Sequence, residues 1–228
     1  MPATNITFSD HETEYLLNIV NFYEVTKELY IYGEQIDPEN RSLAQTINEL
    51  RNCLDHLMRV VSYKLGLRPN TNGEKYVNTN LDKAYGHVYR AAYDTLDWVS
   101  LNLKDSIIRD LQGFSLETIQ AVIPNYFSEL KPKVDKILNE DIVRLRDDKD
   151  VAASSEDNLE KYIRVTAELK QLVQQISEKK PSLIEYQKRL NQSKRNQQVL
   201  RFGIDAAIAI GGGFLVWFIG WIATRPQN

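Results

Sequence analysis

The sequence predicts an all-α protein: an antiparallel helical bundle, then a helical stalk, then one apolar C-terminal helix. Three observations predict it. Apolar residues recur at three- and four-residue steps through most of the 228 residues, and no stretch alternates apolar and polar as a strand would. Breakers fall between the periodic runs, at Pro38, Gly66, Gly73, Gly113 and Pro124. Finally, Gly203 to Ala223 carries a single charge, Asp205, and is long enough to cross a hydrocarbon core of about 30 Å as a helix.

The first helix is expected over Asp10 to Gly33, with Leu16, Leu17, Ile19, Val20 and Tyr23 as its apolar residues. Pro38 and Asn40 open a second, which ends at Gly66. The turn-rich run from Gly66 to Gly73 reads as a loop. A third long helix is expected over Asn78 to Leu111, with Leu81, Ala84, Val88, Ala91, Ala92 and Leu96 on one side. Gly113 stops it and Ser115 caps the next. Pro124 and Pro132 should break or kink the fourth segment.

Asp147 to Asp157 reads as a charged connector, with Ser154 and Ser155 as candidate caps. Beyond it, Tyr162, Leu169, Ile176, Leu183 and Leu190 stand at seven-residue steps, with Leu159 and Val173 in the paired positions. That pattern fits either an amphipathic helix packed on its own domain or an intermolecular coil. Pro181 predicts two helices or a kinked stalk rather than one rod. The expected organisation is a bundle over 1–146, connector and stalk over 147–201, a transmembrane helix over 202–224 and a short tail over 225–228.

Charge and composition narrow the function. A net charge of -3 argues against nucleic-acid binding over the whole surface and leaves a local RNA site open. One cysteine, Cys53, excludes an intramolecular disulfide framework. His11, His56 and His87 show no metal-ligand spacing, so neither a metal nor a cofactor is expected. Met1 to Asp10 is polar and does not read as a signal peptide. Trp217 and Trp221 lie toward the far end of the apolar tract. Lys188, Arg189, Lys194, Arg195 and Arg201 flank its near end, with only Arg225 beyond. This bias predicts a single-pass C-terminal anchor in membrane lipid, with the N-terminal domain cytoplasmic.

The segment that carries chemistry is Glu49 to Leu65. Stepped at 100° per residue, Leu50, Cys53, Leu54, Leu57, Val60, Val61 and Leu65 gather as the expected core face. Asn52, His56, Arg59 and Tyr63 line up nearly opposite, with Arg51 and Asp55 beside them. His56 is therefore expected to face water, another helix or another protomer. Asn52, one turn before it, can share a hydrogen-bonded group with it. The bland reading of Arg51 is an ion pair with Asp55. For Arg59 and Tyr63 it is a solvated face. His87 has no evident partner and reads as structural.

Arg51, the adjacent Asn52, and His56 after four intervening residues resemble the motif of the HEPN superfamily. The resemblance implies a small antiparallel helical bundle over about Asp10 to Leu130. It also implies a metal-independent endoribonuclease whose pocket forms where two copies of the motif meet. Arg51 would hold the phosphate through its planar fork, Asn52 would orient His56 or the phosphate, and His56 would serve as acid or base. Arg59 and Tyr63 would extend the anion site or stack a base. HEPN domains joined to membrane segments resemble antiviral-defence components, including membrane accessory proteins encoded beside RNA-targeting CRISPR effectors. RNA, a CRISPR effector and further copies of the chain are thus the implied partners, in a bacterial inner membrane. Some such members have a divergent, non-catalytic motif.

The apolar tract suggests an alternative function, an oligomeric pore or depolarising accessory protein. Gly211, Gly212 and Gly213 would permit close helix packing, and Asp205 would line the pore or snorkel to the headgroups. Assembly would then use the motif helix, the stalk and the span. A third reading is a tail-anchored tether whose heptads pair with partner helices.

Overall fold

The structure, a computed structural model, describes residues 6–39, 41–68, 73–147 and 156–223, without the side chains of 147, 156, 157, 209, 211, 212 and 214–223. The described residues are helical, with no strand among them. They form two compact units, one of residues 1–112 with 125–178, the other of 113–124 with 179–228.

In the first unit, α1 (Asp10–Ile36) and α2 (Ala44–Lys64) both pack on α3 (Gly73–Leu111). The central position of α3 follows from its sequence. Leu81, Ala84, Val88, Ala91, Ala92, Leu96 and Val99 are fully buried, and its alanines let neighbouring backbones approach closely. Ser9 caps α1 through a capping box with Glu12. The Glu12 Oε2 atom also accepts a 2.6 Å bond from Lys64 Nζ in the last turn of α2. That pair ties the start of one helix to the end of the next.

α1 packs tightly against α3 at Gly33. A Cβ there would stand 2.4 Å from Trp98 Cζ3 and 2.7 Å from Cε3. In an open helix, Gly→Ala stabilises by roughly 0.5–1 kcal/mol. Here the overlap outweighs that gain, because displacing a packed indole costs about 1–3 kcal/mol. Gly33→Ala is expected to lower the urea midpoint with the slope unchanged.

Two helical expectations need correction. Pro124 does stop a helix: α4 (Leu116–Val122) ends just before it. Pro132 breaks nothing. The chain runs on through a π-helical turn (Tyr126–Leu130), α5 (Lys131–Lys136), a second π-turn (Ile137–Asp141) and α6 (Ile142–Asp147). The wider turn, marked by the Leu130 N–H bonding Asn125 O at 3.2 Å, places Pro132 at the start of α5, where a ring is tolerated.

The α2 core face is also rotated. Leu54 and Leu65 are exposed, at 54% and 41%, whereas Thr46, Cys53 and Val60 are buried. The reason is polar: α3 presents Thr95, His87 and Asn80 to α2, and Thr46 Oγ1 lies 3.2 Å from Thr95 Oγ1.

In α7 (Glu156–Ser177) the heptad positions Leu159, Tyr162, Leu169, Val173 and Ile176 are buried, and the helix packs on α3 and α6. Tyr162 Oη and Arg146 Nε both donate to Asp97 Oδ1, at 2.5 and 2.6 Å. Ser154 and Ser155, expected as caps, lie outside the described residues.

The second unit joins α4 to α8 (Lys180–Ala223). Pro181 sits at the second position of α8, so the chain divides into two helices there, as its sequence predicts. Gln187 Oε1 accepts from Ser115 N–H at 2.9 Å and from Thr118 Oγ1 at 2.8 Å.

The expected membrane anchor is overturned. Among the described residues no helix is long and apolar enough to cross a membrane. What is described of α8 runs largely through exposed polar and charged side chains, including Lys188, Arg189, Lys194, Arg195 and Arg201. Asp205 and Gly213 are exposed, and the pore role expected of them falls with the span. Gly211 and Gly212 are among the positions whose surroundings lie outside the description.

Candidate functional site

The rotation of α2 turns His56 toward α3, where it is half-buried rather than facing solvent. Its Nδ1 lies 2.9 Å from Asn80 Oδ1. Asn80 is buried, and its Nδ2 donates to Tyr76 O at 2.8 Å. The amide is thereby oriented with Oδ1 toward the ring. An oxygen can only accept, so His56 carries a proton on Nδ1, and in the neutral ring the lone pair falls on Nε2. Nε2 has no protein partner among the described residues. A histidine held this way is set up to take a proton from a substrate hydroxyl.

His87 is no isolated structural residue. Its ring stacks on that of His56, with centroids 5.3 Å apart and planes inclined by 16°. Its Nδ1 lies 2.7 Å from Glu49 Oε2 and 2.8 Å from Arg90 Nη2. Arg90 Nε also donates to Glu49 Oε2, at 3.1 Å. Burial pushes the Glu49 carboxyl up, but the His87 and Arg90 bonds outweigh it and leave it below the usual carboxylate range. Glu49 is therefore a carboxylate at neutral pH. It favours a proton on His87 Nδ1, and Arg90 can donate to that nitrogen only when the proton is absent.

The remaining motif residues are distributed differently. Asn52 is half-buried one turn before His56, and no hydrogen bond joins the two. Arg51 is exposed, roughly 140° around the helix from His56. It makes no ion pair among the described residues. Asp55, its expected partner, binds Arg59 instead at 2.6 Å. The helix therefore holds Arg51 and His56 of one chain apart. Tyr63, two turns beyond His56, has its ring 6.0 Å from that of Tyr76, whose hydroxyl accepts from Arg68 at 3.2 Å. Cys53 faces the core, where burial pushes its thiol up to about 11, so it is no nucleophile at neutral pH.

Sequence reading missed Glu49, Asn80, His87 and Arg90. The spacing of Glu49 and His56 along α2 could have suggested the first. The α3 residues are brought in by tertiary packing, which no local pattern reports. Among the described residues no group of three or more His, Cys, Asp or Glu side chains is arranged to hold a metal ion. No protein-family model, no curated protein and no solved structure matches this chain.

Proposed function

We propose that this chain is an endoribonuclease of HEPN type that cleaves RNA by internal transesterification, with His56 as its proton acceptor. The observation that carries this reading is the His56 ring itself, fixed through Nδ1 by Asn80 with Nε2 left for substrate. Two further features support it. Tyr63 and Tyr76 lie along the same seam, offering ring faces for an unstacked base, with Arg68 beside them as a cation. Arg51, set apart from its own His56, stands among exposed Ile47, Leu54, Met58 and Leu65. These stand seven, four and seven residues apart, which sets them on one helix face of the kind that packs on another helix. A second copy seated there would bring a second Arg51 as phosphate ligand.

The same exposed face favours a second reading, in which Arg51 serves a subunit contact and no RNA is cut. Incubating the full chain with an end-labelled single-stranded RNA and its all-deoxy counterpart separates the two. Cleavage of the RNA alone, leaving a 2',3'-cyclic phosphate, is expected. Equal cleavage of both strands would exclude 2'-hydroxyl attack. Intact RNA from a chain that is oligomeric by light scattering would favour the contact reading.

A further inference from the structure

We infer that His87 is the second proton-transfer group of this site, donating a proton to the leaving oxygen, with Glu49 as its positioning residue. This rests on the ribonuclease reading and adds that the acid and the base come from one chain, a second copy being needed only for Arg51.

The argument starts from what transesterification demands. A base must take the 2'-hydroxyl proton and an acid must supply one to the departing 5'-oxygen. One imidazole cannot do both in the same step. His56 points its Nδ1 proton at Asn80 Oδ1, which leaves Nε2 for the substrate. His87 lies beside His56 in a near-parallel stack, with ring centroids 5.3 Å apart. Its surroundings are charged where those of His56 are not. His87 Nδ1 faces the Glu49 carboxylate at 2.7 Å and the Arg90 guanidinium at 2.8 Å, while His56 Nδ1 faces only the neutral Asn80 amide. Each ring is thus anchored through its own Nδ1, one by an amide and the other by a carboxylate, and each is held for its own proton transfer. The charged and titratable groups facing His87 are Glu49 and His56 from α2 and Arg90 from α3.

The step balances. The 2'-oxygen bonds to phosphorus as His56 Nε2 takes its proton. The bond from phosphorus to the 5'-oxygen breaks, and that oxygen takes the Nε2 proton of His87. The products are a 2',3'-cyclic phosphate and a 5'-hydroxyl. His56 ends charged and His87 neutral, and exchange with water restores both. Arg90 Nη2, 2.8 Å from His87 Nδ1, can donate to that nitrogen after a neutral ring shifts its remaining proton to Nε2.

The test uses the full chain, His87→Gln and Glu49→Gln, with an RNA cleaved at one linkage and the same RNA bearing a 5'-bridging sulfur there. Thiolate leaves without a proton, so it does not need the acid. With the oxygen substrate, the parent is expected to give a bell-shaped pH–rate profile. His87→Gln should be slower by about 10²–10⁴-fold and lose the alkaline limb, because the acid acts only while protonated. With the sulfur substrate its rate should return to near the parent's. Glu49→Gln should move the alkaline limb to lower pH, a shift that mere loss of packing would not cause. If the parent cleaves and His87→Gln is equally slow on both substrates, His87 is not the acid. A parent that cleaves neither RNA overturns this inference and the ribonuclease reading together. Should His87→Gln fail to fold by circular dichroism, the Glu49→Gln profile decides alone, and an unmoved limb overturns the proposal.

Discussion

His56→Gln is expected to lower the rate of RNA cleavage by about 10²–10⁴-fold, the usual worth of a positioned general base. Glutamine is chosen because its amide can still donate to Asn80 Oδ1. The fold should survive, and the loss can then be assigned to the missing lone pair. His56→Ala should lose the same activity and some stability besides. It leaves a buried amide oxygen without its donor, at a cost of about 1–3 kcal/mol. Initial rates of cyclic-phosphate formation, paired with urea midpoints, separate the two effects. A glutamine variant that keeps the parent rate would remove His56 from the reaction.

The largest expected stability effect lies at the other end of α2. Lys64→Met should cost about 3–5 kcal/mol, because it strands a buried carboxylate. The Glu12 side chain is only 5% exposed and that of Lys64 19% exposed, so little solvent screens the pair. Burial pushes the Glu12 carboxyl up, but bonds from Lys64 and from the Ser9 amide outweigh it and hold the carboxyl below its ordinary range. The pH dependence follows from that sign. A lowered folded value favours the folded state above the ordinary carboxylate range, and the gain is lost as pH falls through the lowered value. In Lys64→Met burial acts with one fewer counterweight. The same carboxyl should then weaken the fold at neutral pH and recover as it protonates. Urea titrations at pH 4 and pH 7 should show the parent more stable at pH 7, with a smaller or inverted difference in the variant. An identical difference in both would mean that Lys64 does not set the state of Glu12.

Much of the helical order was legible in local pattern. The start of α1 expected at Asp10 is where it lies, behind a Ser9–Glu12 capping box that the structure shows. Gly113 and Ser115 bracket the break between α3 and α4, with Gly113 at φ +89°, a conformation glycine adopts freely. Pro181 divides α7 from α8. Pro132 misled, because a rule written for α-helices does not foresee a π-turn that moves the ring to the head of the next segment.

The candidate site was legible only in part. His56 and Asn52 stood out on α2, but the direction of His56 did not follow from apolar residues alone. Leu54 and Leu65 pulled the expected core face roughly 60° away from where it lies, since a helical projection counts hydrophobicity and cannot count a partner helix's hydrogen bonds. Asn80, His87 and Thr95 offered α2 polar partners whose burial unpaired would cost more than leaving Leu54 in water.

The sequence by itself determined an all-helical chain, most of its breaks, the buried stripe of α3 and the helix that bears His56. Those features rest on local propensity and period, which a chain carries before it folds. Only the tertiary structure decided which way α2 turns and that His87 stacks on His56. It also decided that Asn80 fixes one imidazole, that Glu49 faces the other, and that Arg51 stays on the outer face. These depend on contacts between residues twenty to forty positions apart, where side-chain hydrogen bonds rather than periodicity set the register of one helix against the next.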